Sequence, residues 1–120
     1  MRTSFFKRYG NVPNGVAICR YPPSNWKGRW YPKLAPSPRL LCEWNGTGKI
    51  KTKEEFEKRY YEECLDKLDP RQVAEELGHD AVLLCYEPAG KFCHRQLVAK
   101  WLMLALGDDI PELWCIDEFH

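Results

Sequence analysis

The segment Ala81-Val82-Leu83-Leu84-Cys85-Tyr86-Glu87 carries the strongest structural signal in the chain, together with Phe92-Cys93-His94-Arg95, which follows a Pro88-Ala89-Gly90 turn. Its apolar run has no polar alternation, the pattern of a strand covered on both faces, as in a parallel sheet. From about Cys93 the period changes. Leu97, Val98, Trp101, Leu102 and Ala105 share one face of a predicted helix that ends near Leu106, with Gly107 as its stop. A buried strand turning tightly into an amphipathic helix is one half of a β-α-β unit.

Toward the N-terminus, Gly15-Val16-Ala17-Ile18-Cys19 repeats the buried-strand pattern between Pro13-Asn14 and the Arg20 to Pro23 break, and Thr3 to Phe6 is a weaker strand. Three helices lie between the two strong strands, each announced by its cap. Ser37-Pro38 opens one that carries Leu40, Leu41 and Trp44 on a face and stops at Gly46. Thr52 with Glu55 forms a capping box for a helix to about Leu68, with Phe56, Tyr60, Cys64 and Leu68 as its buried stripe. Asp69-Pro70 opens a third, with Val73 and Leu77 inward and Gly78 as its end. Two buried strands separated by some sixty helix-rich residues fit a parallel pair joined by a crossover. The expected fold is α/β, a small three-layer sandwich with a mostly parallel, Rossmann-like sheet flanked by helices. We expect a single domain over 1–120, with an acidic segment at 108–120 in which Leu113 to Ile116 forms a last edge strand.

With 120 residues, 44% of them hydrophobic and 29% charged, the chain can bury a core without staples and is not disordered in bulk. No apolar run is long enough for a membrane span, and Met1 to Gly10 lacks the apolar stretch of a signal peptide, so a cytoplasmic protein is expected. In that compartment the six cysteines, at 19, 42, 64, 85, 93 and 115, read as reduced thiols, most of them small buried hydrophobes. The net charge of +1 hides an asymmetry. Residues 1–51 hold ten Lys or Arg against one acid, Glu43, which leaves eight bases against sixteen acids in the rest. Either the halves neutralise each other across the fold, or the first presents a basic surface to an anionic small molecule or nucleic acid.

Ligands of open parallel sheets bind beyond the carboxyl ends of the strands, beside helix N-termini. If the two strong strands are parallel neighbours, Arg20, Cys85, Glu87, Cys93, His94 and Arg95 gather at one rim. The last helix has no Ser, Thr, Asp or Asn at its start, so its first amides, the helix dipole and Arg95 together predict an anion site. Arg95, Arg20 and Lys33 are the expected anion-binding residues. Cys93, His94 and Glu87 are the catalytic candidates: a thiol whose pKa a helix N-terminus lowers, and two groups to move protons. Each also has a plain reading: Cys85 and Cys93 as core thiols, His94 as a hydrogen-bonded ring, Glu87 as a counter-charge. No metal is predicted, since the spacing of Cys85, Cys93 and His94 matches no common zinc pattern, and no cofactor is evident. The ten positions between Cys85 and Arg95 also exclude a phosphatase-type loop, which needs six.

Residues 21–38 contain five prolines and a basic, aromatic stretch, Trp26 to Lys33. Trp26, Lys27 and Arg29 are candidate nucleic-acid contacts, with rings to stack on bases and cations to hold phosphates. The plain alternative is that the rings plug the loop onto the sheet.

Leu83-Leu84-Cys85-Tyr86-Glu87 followed by Phe92-Cys93-His94-Arg95 and an amphipathic helix resembles the signature of the domain of unknown function 488 family. Arg20 with Pro22-Pro23, Lys33-Leu34-Ala35-Pro36-Ser37 and the Tyr-rich acidic helix from Phe56 to Leu65 are similar to its other segments, in the same order. The resemblance spans about residues 1–107. It implies a small bacterial, archaeal or phage α/β protein and marks Cys85, Tyr86, Glu87, Cys93, His94 and Arg95 as motif positions, without supplying a substrate. The leading expectation is an enzyme-like site for a phosphorylated or nucleotide-derived ligand. The alternatives are a non-catalytic nucleic-acid-binding module using 26–33, and a structural or interaction domain with Cys-His-Arg as a buried polar brace. Catalysis itself, ligand identity and oligomeric state stay open at the level of sequence.

Overall fold

A computed structural model of the chain describes residues 1–9, 12–87 and 92–113. Four strands form one parallel sheet in the order β1-β4-β2-β3: β1 (Arg2–Phe5), β2 (Gly15–Ala17), β3 (Arg29–Trp30) and β4 (Val82–Cys85). The all-apolar β4 takes an interior place, as its lack of alternation requires, and all four of its residues are buried. Val16 pairs with Leu83 and Ala17 with Leu84, so the two strong strands are parallel neighbours ending at the same edge. β1 pairs with β4 from Arg2↔Val82 to Phe5↔Cys85. The two-residue β3 lies inside the proline-rich stretch, where no run of β-formers advertises it.

The helices follow their caps. In α2 (Pro38–Leu41) the Ser37 hydroxyl accepts from the Leu40 amide at 3.0 Å, and the chain continues as a π-turn, Cys42–Gly46. In α3 (Lys53–Glu63) Thr52 accepts from Glu55 at 3.2 Å. This helix ends earlier than its pattern predicts: Cys64 leaves helical geometry and a 3-10 turn, Leu65–Lys67, follows. Leu65, fully buried, therefore takes the inward place expected of Leu68, which is only half-buried. α4 (Pro70–Leu77), capped by Asp69, buries Val73 and Leu77 and ends at Gly78, whose φ of 88° suits glycine. α5 (His94–Leu106) ends at Gly107 in the left-handed conformation.

The two sheet faces are covered differently. Val16, Ile18 and Leu83 join the main core with Leu40, Phe56, Tyr60, Leu65, Val73, Leu77, Leu97, Val98 and Leu102 from the helices. On the other face Val82 and Leu84 are covered by Leu113, Val12, Trp26 and Phe6, the last from the single-turn α1 (Phe6–Tyr9). Trp26 lies over Gly15, where a β-carbon would come within 3.0 Å of its ring, so the absent side chain makes room for the indole. The segment after Gly107 returns beside β1: Thr3 donates to Pro111 O, Leu113 donates to Thr3 O, and Glu112 bridges Thr3 in parallel. This bridge lies one residue before the edge strand expected over Leu113 to Ile116, of which 114–116 are outside the described residues, as is the Pro88-Ala89-Gly90 turn. No helix among the described residues is long and apolar enough to cross a membrane.

Candidate functional site

β2 and β4 end together, and α5 starts against that edge. A cavity of about 210 Å³ opens there, lined among others by Arg20, Trp44, Phe56, Glu87, Cys93 and His94; Cys19, Cys85 and Tyr86 also border it. The rings of Trp44, Phe56 and Phe92 meet edge-on or tilted with centroids 5.4–5.8 Å apart, forming an apolar wall. Arg20, Cys85, Glu87, Cys93 and His94, expected at one rim, thus border one space. Arg95 does not.

His94 is tied to the end of β2, with Nε2 lying 2.7 Å from Ile18 O. A carbonyl only accepts, so Nε2 carries the proton and Nδ1 keeps its lone pair. That Nδ1 lies 3.6 Å from Cys93 Sγ. Burial, opposed in part by the Ile18 bond and reinforced by the charge of Arg95, lowers the His94 pKa to about 4, so the ring is neutral near pH 7. The residues are 8% (Cys93) and 6% (His94) exposed, and both reach solvent through the cavity.

The next residue goes elsewhere. Arg95 is fully buried, and its guanidinium meets the Glu112 carboxylate twice, Nε to Oε1 at 2.9 Å and Nη2 to Oε2 at 2.6 Å. Nη1 donates to Cys85 Sγ at 3.2 Å, and the Phe5 ring lies under the group at 5.8 Å. Burial pushes the Glu112 carboxyl up, but hydrogen bonds from Arg95 and Thr3 and the charge of Arg95 outweigh it and hold the pKa below the ordinary carboxylate value. Arg95 is therefore no anion grip facing a ligand. Its fork is filled by a carboxylate from the acidic C-terminal segment, a residue that sequence reasoning missed because neither periodicity nor a motif marks it.

The helix start is not bare either. Gln96 Oε1 accepts from the Cys93 amide at 3.4 Å while the Cys93 side chain faces the Gln96 amide, a capping box in which weakly accepting sulfur replaces a hydroxyl. The expectation of uncapped amides overlooked the Gln at the third helical position. Arg20 donates to Pro36 O at 3.1 Å and Ala35 O at 3.2 Å, pinning the Leu-Ala-Pro segment, yet still borders the cavity. Lys33 is directed away from it, 3.6 Å from Glu76 on α4, and so does not join the expected anion site.

The basic, aromatic loop is folded onto the protein. Arg29 donates to the carbonyls of Leu77 (2.7 Å) and Glu76 (2.8 Å) at the C-terminus of α4, where a cation also complements the helix dipole. Trp26 donates to Arg29 O and packs on Phe6. Trp30, half-exposed, donates to Cys19 O. Of the three expected nucleic-acid contacts, Trp26 and Arg29 serve the fold, and Lys27 is exposed.

The cysteines divide. Cys85 and Cys93 are paired as a disulfide, their Cα atoms 7.5 Å apart, whereas Cys19, Cys42 and Cys64 are free. The strand end and the helix start fold against each other and bring these two sulfurs together, which the sequence reading of scattered thiols does not foresee. Cys85, Cys93 and His94 also bring three soft donor atoms within 4.8 Å of one another, a grouping their spacing in sequence does not suggest.

The statistical model of the active DUF488-N3 subclade matches residues 7–106. The chain belongs to the DUF488 family. The match takes in both motif segments of the cavity and stops short of Glu112, so the partner of the DUF488 motif arginine comes from outside the matched span. No curated protein and no solved structure matches the chain.

Proposed function

We propose that this DUF488 protein is an enzyme that uses Cys93, in its reduced form, as a nucleophile on a flat, largely apolar ligand group of nucleobase type. The observation that carries this reading is the Cys93 Sγ to His94 Nδ1 contact at 3.6 Å on the wall of the cavity, with the imidazole oriented by Ile18 O. Nucleophile, base and orienting group stand in the order covalent catalysis needs. As sulfur attacks, its proton passes to Nδ1. At rest the ring is neutral, so the Nδ1 lone pair is there to take that proton, the part of a general base.

The aromatic wall supplies stacking area for a planar group. Arg20 is the cation at the mouth for an attached phosphate, and Glu87, exposed at the rim, is placed for proton transfer to a leaving group. With Arg95 sealed and the helix start capped, anion binding falls to Arg20 and is weaker than the sequence motif suggests. The test is alkylation of the fully reduced protein with iodoacetamide at pH 7, mapped by peptide. Cys93 is expected to react fastest of the thiols and to slow about a hundredfold in His94→Gln, the low end for loss of a general base. A Cys93 that reacts no faster than the exposed Cys42 would overturn the proposal.

A further inference from the structure

Nucleophilic use of Cys93 leaves one reactive group of the cluster without a task. The Cys85 sulfur, 1% exposed at the end of β4, meets Cys93 on one side and Arg95 Nη1 at 3.2 Å on the other. Arg95 Nη1 donates to this sulfur, and the guanidinium is itself fixed by the two-point grip of Glu112. We propose that Cys85 is the resolving thiol of a two-cysteine centre, which gives the site a second activity: it consumes a hydroperoxide and closes to the Cys85–Cys93 disulfide. This rests on the reading of Cys93 as the nucleophile.

Cys93, on the cavity wall beside His94 Nδ1, is the sulfur a small oxidant reaches. Its thiolate attacks the outer oxygen of the hydroperoxide. The O–O bond breaks, the alkoxide takes the proton held at Nδ1, and Cys93 becomes a sulfenic acid. The Cys85 thiol then attacks the Cys93 sulfur. The S–S bond forms, hydroxide leaves and takes the Cys85 proton to become water, and the two electrons given to the peroxide come from the two sulfurs. A dithiol reductant restores the pair by attacking Cys93 from the cavity, expelling Cys85 as a thiolate held by Arg95; a stabilised leaving thiolate speeds that exchange. The Cα separation of 7.5 Å is wider than the roughly 4.4–6.8 Å usual for disulfides, so closing the bond draws the end of β4 and the start of α5 toward each other, and reduction lets them part. Cys19 borders the same cavity but has no guanidinium partner among the described residues, and burial raises its pKa to about 11, so it stays a thiol.

The experiment treats the full, reduced chain with one equivalent of hydrogen peroxide, blocks remaining thiols and maps peptides without reduction. The expected product is a Cys85–Cys93 linked peptide that dithiothreitol reverses. In Cys85→Ser the link is lost and dimedone traps a sulfenic acid on Cys93; in Cys93→Ser both products are lost. The wild-type map needs no variant to fold. Links through Cys19, Cys42 or Cys64 in place of Cys85 would overturn the assignment. So would an untreated protein carrying one zinc ion per chain that shields Cys85 and Cys93 from alkylation until chelated. If Cys93 alkylates fastest yet no Cys85–Cys93 link forms, the resolving role falls and the nucleophile stands; a Cys93 inert to iodoacetamide removes both.

Discussion

His94 and Arg95 are consecutive on one helix, yet they belong to two unlike regions. His94 joins an aromatic cavity reached by solvent, where one ring nitrogen is fixed on Ile18 O and the other faces a sulfur. Arg95 enters a closed seam of Phe5, Thr3, Cys85 and Glu112 in which all three guanidinium nitrogens have partners. The first region keeps a lone pair accessible. The second leaves nothing for a ligand and holds the C-terminal segment to β1. A motif of adjacent residues can thus divide between a cavity wall and a closed seam, since successive positions on a helix point about 100° apart.

The largest expected effect comes from breaking the closed seam. Glu112→Ala leaves a fully buried guanidinium without its carboxylate and should cost about 3–5 kcal/mol in urea unfolding. The double replacement Arg95→Met with Glu112→Leu should recover most of that loss, because buried ion pairs often exchange for apolar pairs at little cost. If Glu112→Ala costs under 1 kcal/mol, the seam is not what holds the segment.

Acid should act through the other region. The His94 pKa is lowered in the fold, so the unfolded chain binds the extra proton. The contribution is therefore complete above about pH 6.5 and drains away as pH falls toward 4, by roughly 3 kcal/mol at most. His94→Gln should flatten that part of the stability–pH curve, and an unchanged curve would refute the buried neutral imidazole.

Smaller effects should appear at the mouth. Glu87→Gln at the exposed rim should change stability by no more than about 0.5 kcal/mol in the same unfolding assay. Lys27→Ala should be equally silent in stability, which would set the exposed cation apart from Arg29; Arg29→Ala should cost about 1 kcal/mol through the freed α4 carbonyls.

The elements were legible because their signals are local. The continuous apolar run fixes Val82–Cys85 as an interior strand, and Ser37, Thr52 and Asp69 each mark a helix start that the backbone amides then use. The parallel pairing of β2 and β4, and with it the gathering of Arg20, Glu87, Cys93 and His94, follows from two buried runs joined through helices. Other features depended on contacts across the chain. β3 is two exposed residues given strand form by the Val16–Ala17 edge, and α3 ends at Cys64 while its apolar spacing continues to Leu68.

The sequence by itself determined the strands other than β3, the starts of α2, α3 and α4, and the edge where Cys93 and His94 meet a cavity, because period, caps and strand order act over a few residues at a time. Only the tertiary structure decided that Arg95 turns to Glu112, that Lys33 turns to Glu76 and that Cys85 reaches Cys93. A long cationic side chain or a thiol takes whichever partner the packed backbone brings within reach, and spacing along the chain does not encode that distance.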